Sequence, residues 1–244
     1  MRSSGTWRWD LGPSFKYEAR TVNAIINDGF PVSAILGALS VSLCLLVGIP
    51  AGIISALRHN RWQDNLSMLA STVLVSVPAF VLAPFMIYVF ALKLGWLPPA
   101  RWGTPQQVVM PTIALSGFAM AFIVLLMRSS MLEVLQQDYV RTAKAKGLPE
   151  MVVIYRHAVK NALIPVVTYL GPLIAAVFTG SFVVEHIFGI PGMGRHFITS
   201  IYNRDYTVIM GVTMFYYVFL FLMNFLVDVL YFFLDPRISY IEDR

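Results

Sequence analysis

Charge and cysteine are both scarce in this chain, and each shortage removes a class of protein. Only 13% of its 244 residues are charged, 57% are hydrophobic and the mean hydropathy is +0.69. A soluble domain carries roughly twice that share of charge, so the composition is that of an integral membrane protein. The single cysteine, Cys44, has no partner for an intramolecular disulfide and cannot complete a cysteine metal site. No G-x-x-x-x-G-K-[ST] occurs: Lys16, Lys93, Lys144, Lys146 and Lys160 all lack the preceding glycines, so the chain carries no phosphate-binding loop of its own. Neither G-x-S-x-G nor H-E-x-x-H is present, which leaves an intramembrane enzyme without a nucleophile or a metal centre. Residues 1–30 contain no apolar core of a secretory signal.

What the chain does have is long apolar runs. Five stretches, 32–57, 66–92, 108–127, 161–184 and 206–234, are nearly or wholly free of Asp, Glu, Lys and Arg. At 1.5 Å per residue each is long enough to cross a hydrocarbon layer of about 30 Å. Barrel strands would show short alternating segments instead, so the expected fold is all-α, a polytopic helical membrane protein. Gly48 and Gly52 form a G-x-x-x-G in the first span, read as close helix packing. Pro50, Pro78, Pro84, Pro111, Pro165 and Pro172 kink spans or mark their ends.

The exception to the apolar pattern lies at 128–160. It holds Arg128, Arg141, Lys144, Lys146, Arg156 and Lys160, six of the 18 Lys and Arg. The positive-inside rule puts such a loop in the cytoplasm. With it go residues 58–65 and the tail 235–244, while 1–31, 93–107 and 185–205 fall outside. An external amino terminus bearing Arg2, Arg8, Lys16 and Arg20 calls for an upstream span to carry it across. The net charge of +5 sits in short loops beside spans, which is interfacial anchoring and not a nucleic-acid footprint. Within the loop, Gly147-Leu148-Pro149 separates two short helical stretches. In the second, Met151, Ile154, Tyr155 and Ala158 recur at helical spacing and are expected to face the spans; Glu150, Arg156, His157 and Lys160 fall on the opposite side.

This loop and its flanks resemble the coupling loop of ABC transporter permeases, in the variant of the dipeptide and oligopeptide permeases. The residues that carry the resemblance are DLGPSFKY at 10–17, YVRTAKAKGL at 139–148, RHAVKNALIP at 156–165, GSFVVEHIF at 180–188, PGMG at 191–194, NRDY at 203–206 and DPR at 235–237. Arg141 and Thr142 stand where the general pattern has Glu and Ala, a departure that the peptide branch shares. The resemblance implies a type I ABC importer permease fold in the bacterial inner membrane, normally with one more span at its start. It implies a second, homologous permease, two cytosolic ATPases and an external solute-binding protein as partners, besides the lipid bilayer, and no cofactor. Arg141, Thr142, Ala143, Lys144, Ala145, Lys146, Gly147, Leu148, Arg156 and His157 would meet the ATPase. Ala143, Ala145 and Gly147 would give close approach there, and the bases would form a rim. Phe188, Gly189, Pro191, Gly192 and Gly194 would form an outer gate or touch the binding protein. Oligopeptide, dipeptide, glutathione and nickel importers share this permease type; the opening at 10–17 favours oligopeptides.

Other features have simpler readings. Asp228, the one acid inside a span, lies near its cytoplasmic end, where Arg128 or a base of the loop is the expected partner. His186 and His196 lack a carboxylate or cysteine at ligand spacing. A proton- or sodium-coupled secondary transporter is the main alternative, and it would need inverted repeats and charges at mid-membrane. The missing phosphate-binding loop makes one direct prediction. The purified chain, freed of contaminating ATPases, should show no ATP turnover in a coupled-enzyme assay; retained turnover would refute the reading as a translocation subunit.

Overall fold

The computed structural model of the chain describes residues 10–17, 20–178 and 181–234, without the side chains of 227, 228 and 230–234. Among these residues the structure is helical apart from one isolated bridge between Pro13 and Thr21. Four helices are long and apolar enough to cross a membrane, or five if one bent pair counts as a single span.

Helix α1 (Val22–Leu57) begins ahead of the apolar run at 32, so residues 22–31 are helix continuous with that run. Thr21 sets the start. Its backbone is extended and its Oγ1 accepts the Ala24 amide at 3.2 Å, satisfying one of the free donors of the first turn. Asn23, Asn27 and Asp28 hide these turns from a hydropathy reading, and Asp28 pairs with Arg20 at 3.5 Å. At 36 residues α1 is about 54 Å long, so it projects beyond a hydrocarbon layer of about 30 Å.

The apolar run at 66–92 is not one straight helix. It divides into α2 (Trp62–Ser76) and α3 (Ala79–Lys93), which meet at 103°. Pro78 explains the break: it lacks an amide proton and pushes Val77 out of helical geometry, to φ −95° and ψ 111°. Helix α4 (Pro105–Leu135) starts with a Thr104–Gln107 capping box and runs unbroken past residue 127, so 128–135 belong to this helix and not to a loop. Two short helices follow, α5 (Asp138–Ala145) and α6 (150–162), the latter with a π-helical middle at Val153–Val159. Then come α7 (Ile164–Phe178), α8 (Phe182–Ile187), α9 (Met193–Asn203) and α10 (Tyr206–Leu234). The sequence reading ended the fourth span at 184, and the apolar candidate in the structure extends over Ile164–Ile187.

The core forms where α1 lies on α4. A Cβ on Gly48 would come within 2.9 Å of Ile123 Cγ2, and one on Gly52 within 2.7 Å of Met127 Cβ and 2.8 Å of the Val124 carbonyl. Only glycine permits this approach, so the G-x-x-x-G is a packing motif here. Along the same seam Ser40 Oγ donates to the Thr112 carbonyl at 3.5 Å and Cys44 Sγ to that of Ser116 at 3.4 Å. Met127, Met131, Ile154, Ala158 and Val166 extend the core to α6 and α7.

One polar joint closes this end of the bundle. Asp64 of α2 is buried, and Arg128 of α4 grips its carboxylate through Nε at 2.6 Å and Nη2 at 2.8 Å. Ser55 Oγ donates to it at 2.5 Å and the Asn60 amide at 2.8 Å, while His59 Nδ1 lies 3.2 Å away. Arg128 is therefore committed to Asp64. The pairing of Asp228 with Arg128 or a base of the loop falls outside the described residues, which do not include the Asp228 side chain. Removing one member of such a pair leaves an uncompensated charge, so Arg128→Gln should destabilise the folded chain by about 3 kcal/mol. Asp64→Asn combined with Arg128→Gln should cost less than the sum of the two single changes, as read from thermal unfolding in detergent; strict additivity would show that the pair is not a joint.

Candidate functional site

Two turns stand out, one at each end of the bundle. At one of them α5 stops at Ala145. Gly147, whose amide bonds to the Lys144 carbonyl at 3.0 Å, takes φ +74°, the left-handed geometry that glycine tolerates. Pro149 then opens α6. Val140 and Ala143 of α5 pack on Val153 of α6 over Val134 and Leu135 of α4. Asn161 Nδ2 donates to Tyr139 Oη at 2.9 Å, tying the two helices side by side.

The faces of α6 differ from the helical-spacing expectation. Ile154 and Ala158 are buried, but Met151 and Tyr155 are 62% and 60% exposed. The reason is the π-helical turn, whose i to i+5 hydrogen bonds widen the period and rotate residues out of an i, i+4 register. Leu148, Met151, Val152 and Tyr155 thus form an exposed apolar surface, with Arg141, Lys144, Lys146 and Arg156 exposed around it. Ala143 is buried against α6 and is not free to approach a partner. Ala145, Gly147 and Thr142 are exposed, and His157 is half-buried. A Cβ on Gly147 would meet nothing within 4 Å, so its backbone angle, and not packing within this chain, selects glycine.

The other turn is built around Glu185, which is buried in α8. Its Oε1 accepts from Ser33 Oγ of α1 at 2.7 Å, and its Oε2 accepts from the amides of Gly194 at 2.8 Å and Arg195 at 3.3 Å. Ser33 Oγ in turn accepts the Met193 amide at 2.9 Å. Glu185 and Ser33 together therefore cap the first turn of α9, where free amides and the helix dipole favour a carboxyl group. A Cβ on Gly192 would lie 2.6 Å from both Ser33 Oγ and Glu185 Cδ. Gly192 and Gly194 are buried, and Phe188 is buried with Ile190 and Leu36. Gly189 is half-buried and only Pro191 is exposed. Of the five residues assigned to a gate or contact, three shape the turn from inside.

A second carboxylate secures the neighbouring segment. Asp205 is buried just before α10, and it accepts from Ser14 Oγ, the Phe15 amide at 3.2 Å, Thr207 Oγ1 at 2.9 Å and the Val208 amide at 3.3 Å. Burial pushes its carboxyl up, but these hydrogen bonds outweigh it and hold the group below the usual range. The motifs at 10–17 and 203–206, remote in sequence, thus meet on one residue.

A cavity of about 810 Å³ lies between α4, α7 and α10, roofed by the start of α8 and by Phe197 of α9. Among the described residues no group of three His, Cys, Asp or Glu is placed to hold a metal ion.

A family model described as "Binding-protein-dependent transport system inner membrane component" matches residues 48–240. The chain belongs to that family. This inner membrane component is 50% identical over 231 residues to the dipeptide transport system permease protein DppB of Bacillus subtilis, covering 95% of this chain and 75% of that protein. It is 44% identical over 234 residues to the oligopeptide transport system permease protein OppB of Salmonella typhimurium, covering 95% and 76%. In fold it is similar to the inward-facing MetNI methionine ABC transporter, with a TM-score of 0.72 at 16% identity over 86% of this chain and 96% of that one. An amino acid ABC transporter solved with histidines gives 0.65 at 16% identity, covering 86% and 94%. The component is a multi-pass membrane protein, and neither relatives nor fold favour a secondary transporter.

Glu185, Asp205 and Asp64 each accept hydrogen bonds from at least three residues and were not singled out from sequence. The available signal was rarity. Asp64 is the one acid between Asp28 and Glu133, and Glu185 the one between Glu150 and Asp205. The turn at Gly192 gives a sharp steric test. Gly192→Ala should displace the Glu185 carboxyl and free the α9 amides, at about 1–3 kcal/mol. Hydrogen exchange at Met193–Arg195 should rise while exchange in α4 stays unchanged; unaltered protection would show that the cap does not depend on Gly192.

Proposed function

We propose that the chain is a permease subunit of an ATP-driven importer of oligopeptides or dipeptides, in which the turn at Gly147 couples the membrane helices to cytosolic ATPases. Identity of 50% to a dipeptide permease over 95% of the chain supports the substrate class. The observation that carries the coupling role is the exposed apolar surface of Leu148, Met151, Val152 and Tyr155 ringed by basic side chains. A solvated loop that served topology alone would gain nothing from exposing these groups, whereas a groove in a soluble partner would bury them. The ATPase then contacts Arg141, Thr142, Lys144, Ala145, Lys146, Gly147, Leu148, Arg156 and His157, with Ala143 holding α5 on α6 from behind.

In this reading the chain hydrolyses nothing itself, takes no cofactor and pairs with a second, homologous permease in the inner membrane. The carboxyl terminus and 136–160 face the cytoplasm, and residues 10–21 face outward. An external solute-binding protein delivers the peptide to the end where Pro191 is exposed and Gly189 half-exposed. Ala145→Cys, exposed and inward, should resist an impermeant thiol reagent added to whole cells.

The turn itself supplies the decisive experiment. Positive φ costs a β-branched residue about 1–2 kcal/mol or more, while asparagine tolerates it. Gly147→Val should leave membrane insertion intact and weaken co-purification of the ATPases, or uncouple their hydrolysis from peptide uptake in vesicles. Gly147→Asn should stay close to the parent, and Met151→Glu should weaken retention through the apolar surface. Full retention and full coupling in Gly147→Val and Met151→Glu together would remove the coupling role.

A further inference from the structure

The turn between α1 and α2 leaves two positive charges unmatched. The Arg61 amide donates to the Arg58 carbonyl at 2.9 Å, which makes 58–61 a hydrogen-bonded turn and brings the two Cα atoms within about 7 Å of each other. Asp64 fixes the turn from within. It accepts the Asn60 amide at 2.8 Å and lies 3.2 Å from His59 Nδ1, while its charge is met by Arg128. Arg58 and Arg61 are exposed, and among the described residues neither forms an ion pair. Trp62 follows them, 70% exposed.

Next to this turn a groove of about 200 Å³ runs between the two helices. Val47 and Ala51 of α1 and Leu66, Ala70 and Leu74 of α2 wall it, Val124 of α4 lies at its floor, and no charged side chain lines it. It begins at Leu66, about 7 Å along α2 from Arg61. One turn of helix, about 10 Å across and 5.4 Å high, fills about 420 Å³, so a helix can lie over this groove but cannot enter it. An extended hydrocarbon chain can.

We propose that the turn at 58–61 and this groove bind one anionic phospholipid, with its phosphate between Arg58 and Arg61, its glycerol region against Trp62 and one acyl chain in the groove. The complementarity is of charge at one end and of apolar surface at the other. Guanidinium forks match phosphate oxygens, an indole favours the headgroup level, and bases at a membrane surface attract anionic lipid. A zwitterionic headgroup gains less, because it brings a cation of its own to the same place. A free phosphate would leave the groove and the indole idle, and an apolar helix would bring no anion. The site requires only that α1 and α2 stand in a bilayer, whatever substrate is carried. It lies at the end of the bundle that carries Gly147, since Arg128, which meets the turn's acid, is about 10 Å along α4 from Leu135, on which α5 rests.

The test titrates the purified chain in detergent with dioleoylphosphatidylglycerol or dioleoylphosphatidylcholine and counts bound lipid by native mass spectrometry. One phosphatidylglycerol should be retained at concentrations where phosphatidylcholine is not. A base beside anionic lipid is worth about fivefold in affinity, so Arg58→Gln with Arg61→Gln should weaken retention about 25-fold. Both positions are exposed, and an unchanged unfolding temperature in the absence of lipid checks the fold. Ala70→Trp, which fills the groove, should weaken retention with both bases in place. Excess glycerol 3-phosphate should not displace the lipid. Equal retention of the two lipids, or full retention in either variant, would overturn the proposal, and so would displacement by glycerol 3-phosphate, which would leave a site for phosphate alone. A second measurement needs no charge variant: with Trp62 replaced by p-benzoylphenylalanine, illumination of native membranes should give a phospholipid adduct. Adducts with protein alone would show that a subunit or another segment covers this face, and would refute a lipid site.

Discussion

A carboxylate shut away from water must be met entirely by protein groups, and this requirement organises the chain. Asp64, Glu185 and Asp205 are all buried, and each collects donors from more than one element. Asp64 joins the end of α1, the start of α2 and the last third of α4. Glu185 joins α1, α8 and α9, and Asp205 ties the segment at 10–17 to the head of α10. Hydrophobic burial alone specifies little among apolar helices in an apolar medium, because lipid tails compete equally for the same surfaces. Directional bonds to three acids supply the register that greasy contact cannot.

The joints divide the molecule by task. The one at Glu185 holds short helices and turns against α1 through groups as small as Ser33, Gly192 and Gly194, which leaves little slack there. The end that carries Gly147 is built differently. Beyond the Asp64 joint, α5 and α6 rest on α4 through Val134, Leu135, Val140 and Val153, an apolar contact without a buried ion pair. Its outward surface is apolar and unpaired, with bases around it. One end is locked to itself, and the other leaves apolar side chains exposed.

Much of this was legible in the sequence, for reasons that differ from element to element. Apolar runs located the long helices because hydrocarbon thickness imposes their length. Pro78 marked the place where the second run breaks, though only coordinates give an angle of 103°. Gly147 was readable because a chain that must turn left-handed after a helix has little else to use. The faces of α6 were not readable, since i, i+4 spacing presupposes an α-helix and Val153–Val159 is π-helical. The start of α1 was hidden because Asn23, Asn27 and Asp28 are helical but polar. The partners of the buried acids were out of reach altogether: Arg128 is 64 residues from Asp64, Ser33 is 152 from Glu185 and Ser14 is 191 from Asp205. Such pairings exist only once the fold does.

Helix α4 has a mechanical consequence. It is continuous over 31 residues, and its one internal proline, Pro111, lies near its amino-terminal end, before the cavity wall at Leu115 and Phe118. From Phe118 to Leu135, where α5 and α6 are seated, about 26 Å of uninterrupted helix carries no hinge. A stiff rod of that kind cannot take up a push at one end by bending. It must slide or tilt as a whole, and with Arg128 gripping Asp64 it takes α2 along. The cavity wall and the seat of α5 and α6 thus lie on one continuous helix, to which the salt bridge fixes α2.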